Sequence, residues 1–232
     1  MPRPLPDLKY PDQHCDLWSV SLNEPYSEAE LFELLSRDEK RRLDRFSNKT
    51  ARRGFVCSRG VLRRLIGSYL GQNPKKLEFA FNDHGKPRLK DFPNCFFNIS
   101  HSRDRLVLLF APCCCGIDIE CSTRKVDFQP ILRRFFAEEE IASWQLQPEP
   151  VTAFFRGWTR KEAFLKATGV GIRGLNKVRI SFAPELAEPV IWLDQSFGLN
   201  DRWFFEDFFI EPSYPGCIVL QNKQLPIHFH SF

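Results

Sequence analysis

A chain of 232 residues, 43% hydrophobic and 27% charged, carries enough apolar side chains to bury a core and too many for global disorder. Its formal net charge of +4 suits an anionic ligand without calling for nucleic acid, and no apolar run approaches the length of a membrane span. The opening residues, Met1-Pro-Arg-Pro-Leu-Pro, lack the apolar stretch of a secretory signal, so the eight cysteines are expected to be reduced, in a cytoplasmic protein.

Residues 15–22 alternate well enough for a strand. Ser27-Glu28-Ala29-Glu30 reads as an N-cap with an acidic first turn, opening a helix through Leu31, Leu34 and Leu35. Ser36-Arg37-Asp38-Glu39 repeats the capping pattern for a second helix with Leu43 and Phe46 on its apolar face. Residues 50–70 form the longest predicted helix of the first half. Phe55, Leu62, Leu65, Ile66 and Leu70 share its apolar stripe, and Arg52, Arg53, Arg59, Arg63 and Arg64 surround it. A solvated face is the ordinary reading of such arginines; the sharper one is that one or two of them, with Arg42, grip a phosphate. After a short strand at 77–81, Asn82 to Pro87 make a turn around Gly85, where Lys86 is either turn decoration or a phosphate contact.

Residues 96–120 carry the most chemistry. A strand ending in Ser100-His101-Ser102 turns at 103–105 into the apolar run 106–110, and Gly116-Ile117-Asp118-Ile119-Glu120 follows. Residues two apart on a strand share a face, so Asp118 and Glu120 project together while Ile117 and Ile119 enter a core. Two adjacent carboxylates are either simply solvated or held by a hard cation such as Mg²⁺. Cys113-Cys114-Cys115 and Cys121 lack the paired Cys-x-x-Cys of a zinc site and read as small apolar residues.

Residues 121–125 are a polar break, dividing the chain into 1–121 and 122–232. Beyond it come predicted helices at 128–136, 137–143 and 151–167, a flexible exit at 169–174, and strands at 178–182, 190–193, 203–210 and 217–220. The halves rhyme. The expected fold is α+β: two similar lobes, each a small, mainly antiparallel sheet packed with a long helix, related by a pseudo-twofold axis.

On the long second helix, Trp158-Thr159-Arg160-Lys161-Glu162-Ala163-Phe164-Leu165-Lys166 places Glu162 and Lys166 on one face and Lys161 off to the side. Ser-His-Ser, Gly-Ile-Asp-Ile-Glu and Trp-x-x-Lys-Glu-x-x-x-Lys, in this order, resemble the 4′-phosphopantetheinyl transferases, in particular the monomeric, two-lobed surfactin-synthetase-activating type. The resemblance runs over residues 36–183 and includes Gly85-Lys86-Pro87, which matches a third family motif.

The resemblance implies transfer of the phosphopantetheine arm of coenzyme A to a serine of an apo acyl or peptidyl carrier protein, with 3′,5′-ADP as the other product. It implies Mg²⁺, with Mn²⁺ as the alternative ion, on Asp118, Glu120 and Glu162. It places Lys86, Ser100, His101 and Lys166 on the coenzyme's phosphates. Arg42 and Arg53 fall among the family's basic phosphate contacts, where Arg52 or Arg59 could replace Arg53. Glu162 is the first choice of base, directly or through a metal-bound water, with Lys166 and His101 completing the catalytic set. The implied enzyme is a monomer with its site in the cleft between lobes and no nucleic-acid or membrane partner. A magnesium-dependent phosphohydrolase would use the same carboxylates without a carrier, and a nucleic-acid module on the arginine helix would bind oligonucleotides regardless of Asp118.

Overall fold

The computed structural model describes residues 8–24, 28–182, 190–192 and 202–232. Strand β1 (Cys15–Ser21) is followed by α1 (Glu28–Glu33), α2 (Arg37–Leu43) and α3 (Lys49–Leu70). A capping box opens α2: the Ser36 hydroxyl accepts from the Glu39 amide, and the Glu39 carboxylate accepts from the Ser36 amide at 2.9 Å. The proposed cap at Ser27 lies outside the described residues. Asn48 caps α3 through the amides of Thr50 and Ala51, and Gly71, at φ 61°, ends it.

Strands β2 (Phe79–Phe81) and β3 (Pro87–Leu89) flank the turn at Gly85, whose φ is 85°. Then come β4 (Phe96–Ser102), β5 (Arg105–Ala111) and β6 (Cys115–Ile119). The rest of the chain supplies α4 (Phe128–Phe135), α5 (Glu138–Gln145), α6 (Pro150–Thr168), β7 (Val178–Ile180), β8 (Val190–Trp192), β9 (Trp203–Phe209), β10 (Pro215–Gln221) and β11 (Ile227–Ser231). The expected flexible exit after α6 holds a 3₁₀ turn at Ile172–Lys177.

The expected α+β class is the observed one: two main sheets, each backed by a long helix, with the two-stranded pairs β2–β3 and β7–β8 beside them. One sheet runs β11-β1-β5-β4 and the other β6-β10-β9. Alternation along the strands builds the layers. Trp18, Val20, Leu106, Leu108 and Phe110 face α3, where they bury Val56, Val61, Leu62, Leu65 and Ile66. Their strand neighbours Leu17, Val107 and Leu109 face the other sheet and meet Ile117, Ile119, Ile218 and Leu220. On the far side, Cys217 and Val219 pack under Phe154, Phe155, Phe164 and Leu165 of α6. The order is helix, sheet, sheet, helix. That explains why β5 reads as an unbroken apolar run: both of its faces are covered.

Sheet membership does not follow chain order. β6 leaves the β4–β5 hairpin and pairs antiparallel with β10, setting Asp118 opposite Cys217. Asp118 and Glu120 therefore come from the edge of the sheet that carries α6, not from the first-half sheet. The unpredicted strand β11 crosses back and pairs parallel with β1. The arginine helix also departs from a solvated face. Arg63 is 2% exposed, its guanidinium 2.7 Å from Glu39 and donating to the carbonyls of Pro74 and Leu77. It falls beside Leu62 on the core side of α3, where only a fully partnered charge is tolerated.

One contact sets the height of α6 above β6. A Cβ on Gly116 would lie 2.1 Å from the Ala163 carbonyl oxygen and 2.4 Å from the Ala167 nitrogen, so the helix backbone rests directly on the strand. Gly116→Ala must push α6 outward. It is expected to cost about 2–3 kcal/mol, read as a lower urea midpoint at unchanged slope.

Candidate active site

β4 and β6 lie side by side but belong to different sheets, and side chains stitch them. Asn98, Ser100 and Ser102 occupy alternate positions of β4 and so share a face. The Asn98 side-chain Oδ1 accepts from the Ile117 amide at 2.9 Å, and the Ser100 hydroxyl donates to Asp118 Oδ1 at 2.8 Å. The Ser102 hydroxyl donates to Glu120 Oε2 at 2.8 Å while accepting from the Cys121 amide at 3.0 Å. Both serines of Ser-His-Ser thus orient the two carboxylates of Asp-x-Glu. His101, between them, turns the other way and stays exposed.

α6 closes the site from the side. Lys166 Nζ donates to Asp118 Oδ1 at 2.6 Å and to the Ser100 hydroxyl at 2.8 Å. The lysine that shares a helix face with Glu162 has its close ion pair with Asp118 of β6. Burial, then the Asp118 charge, with a smaller push from Glu120, raise the partly buried Glu162 carboxyl to about 7, against the pull of Lys166. Glu120 is also raised, by burial and then by Asp118, although Ser102, Arg124 and Lys166 oppose the shift. The Asp118 charge thus acts on both glutamates, which ties the three side chains into one electrostatic unit.

Asp118 Oδ2 is buried and, among the described residues, has no hydrogen-bond partner. An orphaned carboxylate oxygen beside two further carboxylates is the donor chemistry of a hard divalent cation, so these residues fit Mg²⁺.

Lys86 lies next to this group. Its Nζ donates to the Ala167 carbonyl at 2.7 Å and to the Cys115 carbonyl at 3.1 Å, tying its turn to the end of α6 and the start of β6. Asn82 secures the same turn by donating to the Gly169 carbonyl at 2.9 Å. Desolvation by the surrounding groups, with the Lys166 charge adding to it, holds the His101 imidazole below its usual range.

The arginines are spread along α2 and α3. Arg42 packs over the Phe55 ring at 5.3 Å, Arg52 sits 3.7 Å from Glu28, and Arg53 donates to the Glu24 carbonyl at 3.0 Å. Arg59 lies against Phe55 and Phe81 and keeps a buried Nη1 without a partner among the described residues. That open donor singles it out for an anion.

Sequence reasoning missed Asn98 and Ser102, which the Asn-x-Ser-x-Ser alternation could have exposed. It also missed the role of Lys161. This side chain is wholly buried, its Nζ 2.7 Å from the Phe135 carbonyl and 3.1 Å from Glu140 Oε1. Its neighbour Glu162 is therefore presented to the cleft from a helix anchored on the opposite side.

Three carboxylates with ammonium groups at hand are suited to phosphoryl chemistry, in which charge on phosphate oxygens must be neutralised. Two family models match the chain in succession: 4′-phosphopantetheinyl transferase, N-terminal, over residues 18–113, and 4′-phosphopantetheinyl transferase superfamily, over residues 114–214. The 4′-phosphopantetheinyl transferase HetI of a Nostoc species is 36% identical over 191 residues, which are 79% of this chain and 80% of the relative. The 4′-phosphopantetheinyl transferase Sfp of Bacillus subtilis is 26% identical over 218 residues, 90% of this chain and 94% of the relative. An L-aminoadipate-semialdehyde dehydrogenase-phosphopantetheinyl transferase of Xenopus laevis is 29% identical over 203 residues, 79% of this chain and 67% of the relative. The chain belongs to the 4′-phosphopantetheinyl transferase superfamily.

Proposed function

We propose that this protein transfers the 4′-phosphopantetheine arm of coenzyme A to a serine of apo acyl or peptidyl carrier proteins, with Mg²⁺ held by Asp118, Glu120 and Glu162. The observation that carries the reading is the meeting of these carboxylates with Lys166 where β4, β6 and α6 come together. In the reaction the serine oxygen bonds to the phosphorus bearing the pantetheine arm. The bridging P–O bond of the pyrophosphate breaks, 3′,5′-ADP leaves with the electron pair, and the serine proton passes to a base. A bound Mg²⁺, or Mn²⁺ in its place, supplies charge neutralisation on the pyrophosphate oxygens.

The chain's own groups do the positioning. An ammonium has three N–H donors. Lys166 gives two, to Asp118 and Ser100, and Lys86 gives two to backbone carbonyls. Among the described residues one donor on each is left for a phosphate oxygen. His101, exposed and neutral at pH 7, donates one ring N–H to a phosphate. Ser100 acts through Asp118, whose carboxylate it steers, as well as through any direct contact. Arg42 and Arg53, with Arg59 beside them, supply positive charge for the coenzyme's remaining phosphates. Glu162 takes the serine proton; a Glu162→Gln variant that kept full turnover would remove it from that role.

All eight cysteines are free thiols, and the proposed enzyme is a cytoplasmic monomer. Among the described residues no helix is long and apolar enough to cross a membrane.

The deciding experiment is intact mass of apo carrier proteins incubated with this protein, coenzyme A and Mg²⁺. A gain of one phosphopantetheine on the carrier serine, abolished by EDTA, is the expected result. Nucleotide or phosphate release without carrier modification would favour a hydrolase.

The raised Glu162 also predicts a pH signature for the metal-free protein. Its carboxyl titrates at about 7 in the fold, against an ordinary 4.5. The stability tied to its protonated form is complete below the ordinary value and is lost as pH rises through the folded one. Without metal, Tm should fall between about pH 5 and 8, and Mg²⁺ should raise it far more at the upper end. Glu162→Gln should flatten the profile.

A further inference from the structure

Away from the carboxylate cleft, the edge of the first sheet gathers a second set of ligating side chains. The parallel β1–β11 pairing sets Asp16 opposite His228 and Trp18 opposite His230. Residues two apart on a strand and partners in register share a face, so His14, Asp16, Trp18, His228 and His230 stand on one side of the sheet. Three of the chain's five histidines therefore surround a single carboxylate.

One ligand atom each from His14, Asp16 and His228 lie within 4.8 Å of one another. The His14 and His228 rings stack with centroids 4.2 Å apart, and His14 Nε2 is 3.4 Å from Asp16 Oδ1. Asp16 is 4% exposed, and among the described residues its ionic partners are imidazoles alone. The carboxylate is built in. Tyr69 donates to its Oδ2 at 2.6 Å, the Trp18 indole N–H donates to the Tyr69 hydroxyl at 2.8 Å, and His230 Nε2 lies 2.8 Å from Oδ1. His14 and His230 are partly exposed and His228 is exposed, so an ion can reach the cluster from solvent.

We propose that His14, Asp16 and His228 form a second cation site, built for a borderline transition-metal ion of the Zn²⁺ class rather than for Mg²⁺. Two imidazoles and one carboxylate suit Zn²⁺, whereas the all-oxygen triad of the cleft suits Mg²⁺. Tyr69 and His230 act as outer-shell partners that orient Asp16. Because its ligands come from both strands, the ion clamps β11, the last strand of the chain, onto β1. The site is independent of the transferase reading.

The test uses untagged full-length protein, stripped of metal and kept in excess Mg²⁺ to occupy the cleft. It is titrated with Zn²⁺ by calorimetry and with Co²⁺ as a spectroscopic substitute. One equivalent of Zn²⁺ should bind, Co²⁺ should give visible d–d absorption, and Tm should rise. His228→Ala, an exposed position whose metal-free Tm should match the wild type, should abolish all three effects, as should His14→Ala. Tyr69→Phe, which removes the hydroxyl from Asp16, should weaken Zn²⁺ by about ten- to a hundredfold. Zn²⁺ binding and a Tm rise that survive the His14→Ala/His228→Ala double variant, on surface thiols such as Cys114 or on carboxylates, would overturn the proposal. Failure to bind Zn²⁺ in excess Mg²⁺ would do so too.

Discussion

Asp118→Asn is expected to lower carrier modification by a factor of about 10³ or more, with the fold intact. The substitution keeps the shape and an oxygen to accept from Ser100, whose hydroxyl lies 2.8 Å from Oδ1. What it removes is charge. Lys166 loses the carboxylate 2.6 Å away, and the orphaned Oδ2 that a hard cation would take becomes an amide. Two readouts separate chemistry from folding. Initial rates of mass gain on the carrier should collapse, while the far-ultraviolet circular dichroism stays that of the parent. The Mg²⁺-dependent rise in Tm should vanish with the rate. Turnover above a tenth of the parent's would show that Asp118 is not at the reacting centre. Ser102→Ala, which frees Glu120 without discharging it, should cost about ten- to a hundredfold, as loss of an orienting partner does.

Lys161→Ala should be the most destabilising single change outside the apolar core, at about 3–5 kcal/mol. The ammonium is fully buried against Glu140, itself 3% exposed, and sits 4.1 Å from the centre of the Phe136 ring. Glu140 is heavily committed: it also accepts from the Ala137 amide at 2.7 Å and the Ile180 amide at 2.9 Å. Removing the lysine leaves the buried carboxylate with the more distant Arg179, 3.9 Å away, as its ionic partner and takes a donor from the Phe135 carbonyl, while α6 loses its tie to α5. Against a total stability of about 5–15 kcal/mol for an ordinary domain, that is a large fraction. The paired change Lys161→Met/Glu140→Gln, which leaves no buried charge, should recover part of the loss in urea unfolding. A Lys161→Ala loss under about 1 kcal/mol would mean the pair is no more than an exposed salt bridge in effect. Since Glu162 is the next residue, the surviving folded fraction should also transfer more slowly.

The sequence by itself determined the local structure and the chemical inventory. Capping at Ser36, the long helices α3 and α6, the β4–β5 hairpin and the apolar run of β5 follow from spacing and side-chain type, which act over one or two turns or strands. Spacing also sets Asp118 and Glu120 on one strand face and Glu162 and Lys166 on one helix face, but that these faces serve one site came from the family resemblance, not from the period. Tertiary structure alone decided the partners. β6 looks like the next strand of a hairpin, yet its hydrogen bonds go to β10, and β11 finds β1 from the far end of the chain. Strand pairing joins segments distant in sequence, and no local preference records which edge a strand will meet. For the same reason Arg63 and Lys161, alike in sequence to their solvated neighbours, turned out to be buried: their charges are tolerated because Glu39 and Glu140 arrive from elsewhere. The histidines around Asp16 belong to this class as well, since only the parallel register of the last strand brings them together.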